Sequence, residues 1–123
     1  MDNTPPTAIK LHTQSNMLEL VYGEQHFHLS FEFLRVHSPS AEVKGHGKPI
    51  LQVGKRQVKI RNIETVGNYA LKITYDDGHD TGLYSWQYLN ELCANQGTLW
   101  QAYLDQLAET GGSREPLIIG KWQ

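Results

Sequence analysis

With 123 residues, 39% of them hydrophobic and 20% charged, the chain has enough apolar content for one core and too little length for two independent ones. Thirteen acidic against eleven basic residues give a formal net charge of -2, which removes the electrostatic case for nucleic acid or an anionic membrane as partner. The single cysteine, Cys93, excludes an intrachain disulfide framework and fits a reducing compartment; MDNTPPTAIK lacks the features of a signal peptide, and no apolar run approaches the roughly 20 residues of a membrane span, so a cytoplasmic protein is expected.

Residues 1–7, with Pro5 and Pro6, read as a flexible leader to a single domain over 8–110, followed by a tail over 111–123. Ala8 to Thr13 alternates apolar and polar residues, and Met17 to Tyr22 is rich in Leu and Val, which predicts a strand pair across QSN. Gly23 and Glu24 turn the chain into HFHLS, a third short alternating run. SFEFLRV fits either a short helix capped by Ser30 or a continued strand, and Pro39 stops regular helix by Ser38. Ser38 to Pro49 is loop, with glycines on both sides of His46.

Val58–Ile60, Ile63–Val66 and Tyr69–Tyr75 read as strands, the last with Tyr69, Leu71, Ile73 and Tyr75 on one face. Asp77-Gly78 is a type I′ hairpin signal returning a partner strand over 79–84. Ser85 caps a helix whose Trp86, Leu89 and Cys93 share a face, and Gly97 is expected to close it. Thr98 with Gln101 then fits a capping box for a second helix, with Trp100, Tyr103, Leu104 and Leu107 as core candidates and Gly111-Gly112 as its stop. Strands followed by helices give an α+β class: a twisted, mainly antiparallel sheet with one or two C-terminal helices packed on it.

Two segments, LRVHSPSAEVKGHG and TYDDGHDTGLYSWQYLNEL, together resemble the gamma-butyrobetaine hydroxylase-like N-terminal domain family (DUF971) over residues 8–93, and LWQAYLDQL is similar to its short, free-standing bacterial members. The resemblance implies a module that elsewhere precedes a separate oxygenase domain and binds structural zinc through three cysteines, in a pattern like LRDNCxCxxC, and a histidine after an acidic turn. Those positions fall here on Ser38, Ser40, Val43 and His79. Hydroxyls are poor zinc donors and valine offers none, so that zinc site is expected to be lost, with the loop ordered instead by serine and carboxylate hydrogen bonds to backbone N–H groups.

A different metal centre is conceivable, with His79 joined by His37 and His46 and by Glu42 or Asp80, taking iron or zinc. The blander alternative is that these histidines bond carbonyls or face solvent. His26 and His28, two apart on one strand face, could also chelate, although an exposed strand face is the commoner reading. Cys93 on an apolar helix face reads as an inert thiol, and no nucleophile elbow, P-loop or dinucleotide fingerprint is present. Lys44, Lys48, Lys55, Arg56, Lys59 and Arg61 crowd one span, and Lys55, Arg56 and Lys59 are candidates to meet an acidic partner, against the plainer role of protecting a sheet edge.

Some family members are fused to iron–sulfur carrier P-loop ATPases. The resemblance therefore implies a non-catalytic accessory or interaction domain in iron–sulfur or metalloprotein biogenesis, with such an ATPase as protein partner, no cofactor, and neither nucleic acid nor membrane. The alternative is a small iron- or zinc-binding protein.

Overall fold

The computed structural model describes residues 3–40 and 50–116. The first three alternating runs form an antiparallel meander of β1 Ala8–His12, β2 Met17–Tyr22 and β3 Gln25–Ser30. Its two turns place Asn16 and Gly23 at φ 58° and 65°, left-handed backbone that Asn and Gly tolerate best. The register aligns Ile9 with Leu20 and Phe27, and Leu11 with Leu18 and Leu29. These rows face the core, so the intervening residues, Glu19 and His28 among them, fall on the outer face.

Ser30 resolves the ambiguity of SFEFLRV. Its hydroxyl accepts the Phe33 N–H at 3.0 Å, starting helix α1, Phe31–Val36, every residue of which is buried. The Phe31 N–H bonds the Asn16 carbonyl, tying the helix start to the β1–β2 turn.

The later strands form a second antiparallel sheet, β4 Ile60–Val66, β5 Ala70–Tyr75 and β6 Leu83–Ser85, rather than extending the first. The two expected strands at 58–60 and 63–66 merge into β4 with an irregularity between Ile60 and Asn62. The expected two-residue hairpin at Asp77-Gly78 does not form. Gly78 has φ 91° and its N–H closes on the Tyr75 carbonyl, but Asp77 is not left-handed and β6 starts only at Leu83. The reason is tertiary: the Asp77 carboxylate is drawn to Arg35 and Lys55, and the chain runs past Ser38 before it pairs again.

Helix α2, Trp86–Ala94, begins as expected, with the Ser85 hydroxyl accepting the Tyr88 N–H at 3.1 Å. It ends earlier than Gly97, at Asn95, and Gly97 lies in the first turn of α3, Gln96–Thr110. The Thr98–Gln101 box is not used, since Gln101 reaches forward to Asp105. Gly111, at φ 73°, closes α3 with its N–H on the Leu107 carbonyl.

Both sheets, α1 and α2 share one apolar cluster that includes Leu18, Leu29, Phe33, Ile73, Tyr84 and Leu89. A smaller cluster of Val36, Tyr103 and Leu107 seats α3. Cys93 belongs to the main core, where burial pushes its thiol up to about 12. Beyond α3, Arg114 forks onto the buried carboxylate of Glu32 at 2.7 and 2.8 Å, so the start of the tail is docked; its LII and Trp122 lie outside the described residues. Among the described residues no helix is long and apolar enough to cross a membrane.

Ser30→Ala should lower the unfolding free energy by about 1 kcal/mol, with an unchanged denaturant slope. Urea denaturation checks this, and an unaffected midpoint would mean that packing alone sets α1.

Candidate functional site

The segment after α1 and the β5–β6 connection meet at one buried imidazole. Ser38 Oγ lies 2.8 Å and Ser40 Oγ 3.3 Å from His79 Nε2, and the Ser40 N–H donates to Ser38 Oγ at 3.4 Å. All three residues are at most 7% exposed. The His79 backbone is fixed as well, its N–H on Asp77 Oδ1 at 3.1 Å and its carbonyl accepting the Tyr75 N–H. Gly82 makes the approach possible, because a Cβ there would stand 2.3 Å from Ser38 Oγ.

A charged network adjoins this knot. The nearly buried Arg35 donates through Nε to Asp77 Oδ2 at 2.9 Å, and Lys55 Nζ reaches the same oxygen at 2.8 Å. Arg35 also bonds Gln52 and lies over the Tyr75 ring. Burial raises the Asp77 pKa, but Lys55, the His79 N–H and Arg35 outweigh it and hold the carboxyl at about 2. Behind them the Tyr75 hydroxyl donates to the Tyr84 hydroxyl at 2.7 Å, which donates to the Leu34 carbonyl at 2.6 Å. Burial pushes both phenols up, so they stay neutral.

Ser38, Ser40 and His79, the positions matched to zinc ligands, are thus brought together. The expected serine bond to a backbone N–H is present at Ser40, while the bonds to His79 were not anticipated. Val43, His46 and Glu42 lie outside the described residues. His37 turns to the Phe33 carbonyl at 2.9 Å, and burial lowers its pKa against that bond. Of the basic candidates, Lys55 pairs with Asp77, Arg56 with Glu115, and Lys59 Nζ bonds Asn16 at 2.8 Å. His26 and His28 share the outer face of the first sheet, where they are joined by His12 and Glu19, a grouping the sequence reading missed.

A family model described as gamma-butyrobetaine hydroxylase-like, N-terminal, matches residues 9–90. The chain belongs to this family. It is 49% identical to a protein solved in solution by NMR, covering 99% of this chain and all of that one at a TM-score of 0.84. A second NMR structure is 50% identical over 99% of this chain and 93% of its own, with a TM-score of 0.80. A crystal structure at 1.93 Å from Acidithiobacillus ferrooxidans, described as a DUF971-family protein of unknown function, is 33% identical over 76% of this chain and 99% of its own, TM-score 0.63. No curated protein matches the chain.

The zinc that the resemblance implies does not fit here. One imidazole and two neutral hydroxyls face one another at hydrogen-bond distance, a donor set that falls short of the four thiolate or imidazole ligands of structural zinc.

Because the Asp77 pKa is depressed, the stability it supplies is complete above its ordinary value of 3.8 and drains away as the pH falls towards about 2. Asp77→Asn should therefore be less stable than wild type at neutral pH, with the gap narrowing through that window. Urea unfolding across it reads the effect; a gap of constant size would contradict the assignment.

Proposed function

We propose that this chain is a non-catalytic accessory module that docks onto a protein partner in iron–sulfur or metalloprotein biogenesis, the partner being an iron–sulfur carrier P-loop ATPase. The observation that carries this reading is the use to which the reactive groups are put. His79 is spent between two serines, His37 on a carbonyl, and the Cys93 thiol is buried and protonated. The family's description as an N-terminal piece of hydroxylase-like proteins also fits a module that serves a neighbour. Among the described residues no observation favours the alternative metal centre on His79 and the loop histidines.

The docking face suggested by the surface is the segment from Ile50 to Lys59. Ile50 and Val53 are 54% and 49% exposed, beside a groove of about 310 Å3 lined in part by Val36, Leu51, Leu99 and Tyr103. Arg56, paired with Glu115 at the exposed surface, and Lys59 follow in the chain and offer cations to an acidic rim. Lys55 is a poorer probe, because its pair with Asp77 is partly buried and belongs to the Arg35 network, whereas the pair of Arg56 with Glu115 lies at the exposed surface.

Calorimetric titration of the purified chain with an iron–sulfur carrier P-loop ATPase from the same organism should show saturable binding. Val53→Asp, and separately Arg56→Glu with Lys59→Glu, should each weaken it by about tenfold, roughly 1.4 kcal/mol. Absence of binding, or binding indifferent to both variants, would contradict the reading.

A further inference from the structure

The outer face of the first sheet gathers three imidazoles around one carboxylate. Glu19 sits on the central strand β2, directly opposite Lys10 on β1 and His28 on β3, and diagonal to His12 and His26. Only 9% of its side chain is exposed, whereas His12, His26 and His28 are 41%, 47% and 53% exposed around it. His12 Nε2 stands 2.7 Å and His28 Nε2 3.7 Å from Glu19 Oε1, and His26 Nδ1 bonds the other oxygen, Oε2. The His12 and His28 rings stack with centroids 6.0 Å apart.

We propose that His12, Glu19 and His28 bind a divalent first-row transition ion of the zinc class, with His26 holding the carboxylate in place from its far oxygen. One possible ligand atom from each of the three residues lies within 4.8 Å of the others. Tetrahedral zinc, with bonds of about 2.0–2.1 Å, sets its donors about 3.3 Å apart. The two imidazole distances to Oε1 lie on either side of that value, so small side-chain adjustments on a fixed sheet bring the set to ligating geometry.

The donor chemistry selects the class of ion. Imidazole with one carboxylate suits zinc, copper, nickel or iron, whereas calcium and magnesium take oxygen shells. His26 acts as a positioning residue, since an outer partner on a ligating carboxylate fixes its orientation. Lys10 is the one cation directly across from Glu19; its residue is exposed, leaving its ammonium room to turn into solvent as an ion enters. Three protein donors leave a position for water or for a ligand brought by another molecule. The site is distinct from the family's cysteine–histidine zinc position, which the resemblance places on Ser38, Ser40, Val43 and His79.

The test is a titration of the tag-free, isotope-labelled full chain with zinc chloride in chelator-stripped buffer, followed by the imidazole resonances. Saturable one-to-one binding should shift His12, His28 and His26 and leave His37 and His79 in place, and magnesium should produce no shift. Affinity should fall as the solution is acidified, because ligating imidazoles must lose their protons. Glu19→Gln and His28→Ala should each weaken binding at least tenfold, and His26→Ala by about tenfold. No shift at millimolar zinc, or shifts centred on His37, His46 or His79, would overturn the site. The wild-type map decides this even where a variant fails to fold, and unchanged affinity in a folded His26→Ala would overturn the role given to His26.

Discussion

The segment after α1 and the segment that carries Lys55 are both tied down by a single short stretch, Asp77 to His79. His79 gathers Ser38 and Ser40, and Asp77 gathers Arg35 and Lys55. Net, each hydroxyl bond contributes about 1 kcal/mol. A structural zinc ion contributes on the order of 10–16 kcal/mol in small zinc domains. The serine–histidine knot alone is therefore a weak substitute for a metal, and the loops depend on what surrounds it. The Arg35 side chain is 7% exposed but that of Asp77 is 24% exposed, so removing the anion should cost less than the roughly 3–5 kcal/mol of a fully buried pair. The charged pair does more than the knot to forbid other arrangements, and the Tyr75–Tyr84–Leu34 chain closes the layer beneath.

Elements whose cause is local were legible in the sequence. Ser30 and Ser85 each cap a helix within three residues, and the alternation in β1 to β3 survives into the register. Features governed by distant partners were not. Asp77-Gly78 carries the composition of a tight hairpin, yet Arg35, 42 positions away, claims the carboxylate and lengthens the loop. Gly97 suggested a helix stop, but Asn95 supplies the break and a glycine in an exposed helical turn costs only about 1 kcal/mol. Glu19 escaped notice because His12 and His26 stand seven residues to either side of it, a spacing that means nothing until strand register sets the diagonals.

The meeting of Ser38 and Ser40 with His79 followed from family resemblance and not from spacing, since 41 residues separate Ser38 from the imidazole. The relatives extend the fold over nearly the whole chain, at 49% and 50% identity. The Cys93 thiol is buried, and the His37 and His79 imidazoles are engaged in hydrogen bonds that hold the fold. The Ile50–Lys59 segment and the histidine-rich sheet face are the two outer surfaces we propose for contacts with other molecules.

Hydrogen bonds from His79 and the partly buried ion pairs of Asp77 hold the Ser38–Ser40 segment, Arg35 and Lys55 in place. Native-state hydrogen exchange of the His79 and Ser40 amides in chelator-containing buffer tests it most directly, since these N–H groups donate to Asp77 and Ser38. The account predicts slow exchange at both, with opening free energies close to that of global unfolding. Exchange near the rate of an unstructured chain, or protection that develops only when zinc is added, would contradict it.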